Sequence, residues 1–149
     1  NLPERFDMNY TNSESQAERP YVLHRALFGS FERFMALLIE NYAGAFPLWL
    51  SPVQVKVLAV GEKHHDYCQE LVDSLRQIDI RAEVDNNDET VGNKIRKAAA
   101  EKIPYVLVVG DQEITSGELA IRQRGSTDLL KLSQADFIKM LQEKINNRQ

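Results

Sequence analysis

Residues 24–34 hold the densest set of side chains that could do chemistry, because a histidine, two arginines and a glutamate flank a glycine turn. A strand that runs through such a turn into a helix would aim the guanidinium of Arg33 at whatever lies over the strand. A planar guanidinium can stack on a purine or bind phosphate oxygens. The residues alone favour a plainer interpretation, in which Arg33 pairs on the surface with Glu32 or Glu40 and His24 is a hydrogen-bonded structural histidine.

The elements that would position these side chains are a short strand and a helix. Residues 21–25 contain aromatic and β-branched side chains and predict a strand. Ser30 is a suitable N-cap for a helix over 31–42, where apolar residues recur at helical spacing. A proline-rich connector at 46–52 follows and separates this part from the rest of the chain.

Beyond the connector, strands alternate with helices, which predicts an α/β layer of parallel strands covered by helices. His64 and His65 are expected at the surface of a helix start. Taken together, we expect a mixed, mostly parallel five-stranded sheet with about three helices. The predicted strands are 53–60, 80–84, 105–109, 119–123 and 128–132, and the predicted helices are 63–78, 90–102 and one capped by Ser133.

Composition excludes several classes of protein. The net charge is −4, and both halves are acidic, so any RNA contact must come from a local patch. A single cysteine, Cys68, excludes an internal disulfide and a zinc cluster built from cysteines, and fits a reducing, cytoplasmic compartment. No run approaches the roughly 18 apolar residues of a membrane helix, so we expect no membrane contact. The start lacks a methionine, which we interpret as a cut inside a longer protein.

Three segments together carry a family resemblance. The order HRALFGSFERF at 24–34 resembles motif 3 of class II aminoacyl-tRNA synthetases, in the form seen in threonyl-tRNA synthetases. Residues 42–55 resemble the segment that leads from the catalytic domain of those enzymes to their anticodon-binding domain. The remainder, through IPYVLVVGD at 103–111, is similar to the anticodon-binding domain shared by the threonine, proline, histidine and glycine enzymes.

For the first part of the chain, the resemblance implies roles in catalysis. Arg33 would be the motif 3 arginine, which engages ATP and neutralises phosphate charge during adenylate formation. His24 would be one of three protein ligands of a zinc ion that holds threonine. The other two ligands would lie upstream, so this chain alone is predicted to be catalytically inactive. Zn²⁺ and ATP with Mg²⁺ are expected in the full-length enzyme, and no cofactor is expected on this chain.

For the second part, the resemblance implies anticodon recognition. The segment that contains Glu89 and Gly92 would be the glycine turn and helix start that face the anticodon, where helix amides suit phosphate. Lys94 and Arg96 lie two residues apart and on different helix faces, so one is expected to meet RNA while the other supports it.

The resemblance also makes residues 110–117 the loop after the central strand and assigns two base-reading side chains. Glu113 would be a base-reading carboxylate able to accept hydrogen bonds from a guanine edge. Arg122 would contact another anticodon base from the neighbouring strand. Unstacked bases of a single-stranded loop are recognised in this way.

The interpretation is therefore the C-terminal part of a threonyl-tRNA synthetase, with a catalytic-domain remnant at 1–50 and an anticodon-binding domain at 51–149. Its partner would be the anticodon loop of threonine tRNA. The full enzyme would be a homodimer, and the isolated chain a monomer.

Two alternatives remain open. One is a free-standing, non-catalytic relative of the anticodon domain that acts as an accessory RNA-binding module. The other is a small α/β enzyme that uses Asp111 or Glu113 near the strand ends.

Overall fold

Residues 2–149 are described by the computed structural model, and they form two units that divide between Leu37 and Leu38. The first unit contains the short helix α1 (Leu2–Arg5) and an antiparallel pair of two-residue strands, β1 (Tyr10–Thr11) and β2 (Ala17–Glu18). The boundary at residue 51 stays a prediction.

The strand predicted at 21–25 is wrong. These residues are irregular, and the side chains of Tyr21 and Leu23 are 99% and 93% exposed. A strand is stable only when a neighbour takes up its backbone hydrogen bonds. Within the described residues no strand pairs with this segment, so its aromatic and branched side chains cannot fix it as a strand.

Helix α2 (Phe31–Tyr42) has the predicted bounds. The Oγ of Ser30 accepts a hydrogen bond from the backbone N–H of Arg33 at 3.3 Å, which is the N-cap interaction expected from the sequence. The helix ends where Ala43 and Gly44 take left-handed φ values of 48° and 76°. No residue of α2 is fully buried, and Phe31 is exposed.

The second unit is built on a five-stranded sheet whose order is β4-β3-β5-β6-β7. Its central strand β3 pairs in parallel with β4 and β5, whereas β5–β6 and β6–β7 are antiparallel. The mixed five-stranded sheet expected from the sequence is confirmed. The strands are β3 (Val55–Ala59), β4 (Ala82–Asp85), β5 (Tyr105–Val109), β6 (Glu118–Gln123) and β7 (Leu129–Ser133).

Helices cover both faces of this sheet. A single turn of 3-10 helix (Glu62–His64) leads into α3 (His65–Arg76), and α4 (Val91–Ala100), α5 (Asp111–Ser116) and α6 (Gln134–Asn146) follow. The larger core packs α3 and α6 against one face, where Phe137 is fully buried. The smaller core joins Ala98 of α4 to Leu58 and Val106 on the other face. The buried strands are therefore apolar on both sides.

Two arginines hold the connector against the sheet of the second unit. The guanidinium of Arg124 donates to the backbone carbonyl of Phe46 at 2.7 Å. The Nε of Arg81 donates to the carbonyl of Ser51 at 2.9 Å, and between these points Leu48 is buried in the core. The connector is thus an ordered part of the second unit.

Candidate nucleic-acid interface

One edge of the sheet gathers most of the residues predicted to bind RNA. Strands β3, β4 and β5 run in parallel, so their carboxyl ends meet at the same edge, where α/β folds commonly bind ligands. Glu89 and Gly92 follow β4, and Glu113 follows β5. The topology therefore places residues far apart in sequence at one edge.

The start of α4 forms a shallow, open cavity of about 690 Å³. One carboxylate oxygen of Glu89 accepts from the ammonium group of Lys97, and the other accepts from the side-chain amide of Asn93. The bond from Lys97 is the main reason why the pKa of Glu89 lies below its ordinary value. The lining residues are Asp88, Glu89, Thr90, Gly92, Asn93 and Arg96.

Lys94 and Arg96 face opposite ways. Lys94 is buried, and its Nζ donates to the carbonyl of Ala59 at 3.0 Å and to that of Asp85 at 3.2 Å. Its charge therefore satisfies the carboxyl ends of β3 and β4, and the burial closes its ammonium group off from solvent. Arg96 is exposed, and its Nη2 donates to Asn93 Oδ1 at 2.8 Å. Of the pair, Arg96 is the one that a ligand can reach.

Glu113 lies in the first turn of α5, a helix that replaces the loop expected at 110–117. Its Oε2 accepts a hydrogen bond from the backbone N–H of Gly110 at 2.9 Å. An acceptor three residues into a helix satisfies one of the free amides at its start. Glu113 is half-buried and held at the edge of the sheet by this bond.

Arg122 projects from β6 and is exposed. It is paired in register with Val106, three residues before the end of β5, so it lies roughly 10 Å back along the sheet from the end of β5. It borders a cavity of about 360 Å³ with an apolar floor. The other lining residues are Ile95, Ala99, Ile103, Val106, Gln123, Arg124, Gly125 and Ser126. Glu113 and Arg122 are thus at different levels of the sheet.

The sequence analysis missed a polar network at this edge. His64, expected at the surface, is 3% exposed, and its Nε2 lies 3.2 Å from Oδ1 of Asp111. The ammonium group of Lys63 lies 2.6 Å from the same carboxylate. These bonds, that from Lys63 first and that from His64 second, lower the pKa of Asp111. The sequence does contain a signal for α5: Asp111 and Glu113 follow Gly110 within three residues, and acidic residues in this position are typical of a helix start.

Arg33 and His24 belong to the first unit and are described on their own. Both are exposed; Arg33 lies in the first turn of α2 and His24 in the irregular segment before it. Among residues 2–149, no three His, Cys, Asp or Glu side chains are close enough together to hold a metal ion.

The described residues contain no helix that is both long and apolar enough to span a bilayer.

Comparison with known proteins gives a consistent family. Residues 54–144 match the family model described as "Anticodon binding domain". The chain is 49% identical over 147 residues to a threonine–tRNA ligase of Desulforamulus reducens and 48% identical over 147 residues to that of Carboxydothermus hydrogenoformans. Each match covers 99% of this chain but 23% of the relative, so the chain spans about a quarter of the length of these proteins.

Solved structures agree with this result. The RNA-binding domain of threonyl-tRNA synthetase from Cryptosporidium parvum superposes with a TM-score of 0.75 at 30% identity, over 97% of this chain and 37% of that one. Prolyl-tRNA synthetase from the same organism shares the fold, with a TM-score of 0.59 at 20% identity over 68% of this chain and 23% of that one. The matched family model covers most of the chain, and the chain therefore belongs to the anticodon-binding domain family.

Proposed function

We propose that this chain recognises the anticodon of threonine tRNA, as the C-terminal part of a threonine–tRNA ligase. The observation that carries the proposal is the 49% identity to such a ligase over 99% of the chain. The family description, "Anticodon binding domain", supplies the same function for residues 54–144.

The geometry of the second unit supports this function. A local, mixed-charge surface is what an acidic chain needs in order to bind RNA by reading bases rather than by a bulk positive field. Glu113 is held at the sheet edge by Gly110, where it can accept hydrogen bonds from a base. Arg96 offers a donor to phosphate or base, and Arg122 offers a planar guanidinium on which a base can stack beside an apolar cavity.

The remaining roles concern the whole ligase. Arg33 would bind ATP with its Mg²⁺ and stabilise phosphate charge, and His24 would supply one imidazole to a zinc ion that binds threonine. A single imidazole fits such a site only if further ligands come from outside residues 2–149, the part of the chain that the structure describes. Residues 1–50 would then belong to the catalytic domain and residues 51–149 to the anticodon domain. The ligase would be a cytoplasmic homodimer, and the isolated chain a monomer without activity.

The test is a binding titration at fixed salt. The chain is titrated with a fluorescent anticodon stem-loop of threonine tRNA and with stem-loops in which one anticodon base is changed. We expect each base change to weaken binding by about tenfold or more, since one well-placed base contact contributes about 1–3 kcal/mol of discrimination. Equal binding to all loops, governed only by salt, would refute anticodon reading and favour the accessory RNA-binding module.

A further inference from the structure

A buried histidine joins the segments that follow two neighbouring strands. His64 lies in the 3-10 turn after β3, and its Nδ1 accepts a hydrogen bond from the backbone N–H of Gly61 at 3.1 Å. With Nδ1 acting as the acceptor, the proton of the neutral ring is on Nε2. Nε2 then donates to Oδ1 of Asp111 across 3.2 Å. The histidine therefore has a defined tautomer with both ring nitrogens bonded.

Asp111 is the first residue of α5, and Glu113 lies two residues further along the same turn. The joint between β5 and this turn leaves little space. A side-chain carbon added at Gly110 would lie 3.3 Å from Val60 and 3.4 Å from the carboxylate of Glu113. The start of α5 is thus held on one side by close packing against the residue after β3, and on the other by the bond from His64.

A catalytic use of this His–Asp pair does not fit the geometry. A histidine that acts as a general base needs one ring nitrogen free to face a reacting group. Here Nδ1 is taken up by Gly61 and Nε2 by Asp111, and the side chain of His64 is 4% exposed. The arrangement is that of a structural brace, with the carboxylate of Asp111 on the exposed side.

We propose that His64 and Asp111 are positioning residues for Glu113. Their hydrogen bond fixes the first turn of α5 and thereby sets which anticodon base can donate hydrogen bonds to Glu113. The inference rests on the proposed function. Lys63 also contacts Asp111, but the side chains of both residues are exposed. Solvent therefore screens this ion pair, which contributes little to the orientation of the first turn of α5.

The test compares variants of Asp111 in the stem-loop titration. Asp111→Ala removes the acceptor for His64, whereas Asp111→Asn keeps a carbonyl oxygen for Nε2 and loses only the charge. We expect Asp111→Ala to reduce the affinity ratio between the cognate and the base-changed loop by about tenfold. Asp111→Asn and Lys63→Met should stay within about twofold of the wild-type ratio. Because the side chain of Asp111 is 72% exposed, these variants are expected to fold.

A matched control separates positioning from general destabilisation. Asp136 occupies the first turn of α6 and bonds to Ser133 at 2.7 Å, so Asp136→Ala removes a helix-start aspartate away from the His64 contact. Its affinity ratio should equal that of the wild type. A merely structural role of Asp111 would weaken binding to all loops equally and leave the ratio unchanged.

The outcomes distinguish the two proposals. If the wild-type chain discriminates between loops and Asp111→Ala does so equally well, the positioning role is refuted and the proposed function stands. If the wild-type chain does not discriminate, the proposed function is refuted and the positioning role with it. Loss of discrimination in Asp111→Ala with rescue in Asp111→Asn supports both.

Discussion

Oε2 of Glu113 accepts a hydrogen bond from the backbone N–H of Gly110 at 2.9 Å, and this bond places a carboxylate at the end of the central parallel strands. The hydrogen bond joins residues only three apart and caps the start of α5 directly after β5. This helix therefore begins at the same edge of the sheet where α4 begins after β4. The base-reading residue implied by the family resemblance is therefore a helix-capping residue as well, and substitutions must be chosen to separate these two roles.

Substitutions of Lys94 and of Arg96 should have very different effects on the free energy of unfolding. Lys94→Met leaves the carbonyls of Ala59 and Asp85 without their donor, so the free energy of unfolding should fall by about 1–3 kcal/mol. Arg96→Ala should change it by less than about 0.5 kcal/mol, because the side chain is exposed. Urea denaturation of both variants measures the difference. Equal stability of the two would contradict the inward role of Lys94.

Arg96 should in turn affect binding to RNA. A side chain that meets phosphate weakens binding to all loops when removed and lowers the slope of log affinity against log salt by about 1. Arg96→Ala is therefore expected to keep base discrimination while losing affinity. The measurement is the stem-loop titration at several salt concentrations. An unchanged slope would exclude Arg96 from phosphate contact.

Arg122 and Arg124 form a second pair of neighbours with separate roles. Arg124 donates to the carbonyls of Phe46 and Lys102, and burial lowers its pKa. Arg124→Ala should lower the free energy of unfolding by at least about 1.5 kcal/mol, because charged hydrogen bonds to the connector are lost. Arg122→Ala should leave stability within about 0.5 kcal/mol of wild type and reduce base discrimination. Hydrogen exchange that stays slow across the connector in Arg124→Ala would count against this role.

Stability should fall in acid through Glu89 and Asp111. Lys97 holds the pKa of Glu89 below its ordinary value, and Lys63, followed by His64, does the same for Asp111. Such carboxylates stabilise the fold fully above their unfolded pKa of about 4, and the stabilisation is lost as pH falls through the lower folded values. A variant with Glu89→Gln and Asp111→Asn should show a shallower fall in unfolding free energy below about pH 4. An identical pH profile would contradict the pairing.

Cys68 should be inert in the native state. Burial raises the pKa of its thiol to about 11, although the nearby charge of Lys94 acts in the opposite direction. Thiolate is the reactive form, so iodoacetamide at pH 8 should modify the native chain very slowly and the urea-unfolded chain readily. Rapid modification of the native chain would show that this part of the core opens.

The sequence predicted elements with strong periodicity and missed those that depend on tertiary context. Helix α2 and strand β5 have the predicted bounds, since apolar spacing and a capping serine define the first and a continuous apolar run defines the second. The strand at 21–25 was predicted from side-chain preference, but a strand needs a pairing partner. Helix α5 has only six residues, too few for periodicity to reveal.

The site shows the same division. Spacing alone separates Lys94 from Arg96 on the helix, but which of them faces the sheet depends on how α4 docks. His64 and His65 are adjacent and chemically identical in the sequence. Only the 3-10 turn after β3 decides that His64 is buried against Asp111. Contacts that join the ends of different strands cannot be deduced from local sequence patterns. The capping bond of Glu113 can be deduced in this way, because its partner Gly110 is only three residues away.

The most direct test of anticodon recognition is base discrimination by Glu113→Gln. Glutamine keeps a carbonyl oxygen for the N–H of Gly110, so α5 and the thermal stability of the chain should be retained. With that oxygen bonded to Gly110, the other end of the glutamine amide is an NH2 donor, so the free carboxylate oxygen that could accept hydrogen bonds from a guanine edge is lost. We predict that Glu113→Gln binds cognate and base-changed stem-loops with affinities that differ by less than about twofold, whereas wild type separates them by about tenfold or more. Wild-type discrimination in a stably folded Glu113→Gln chain would contradict base reading by this carboxylate.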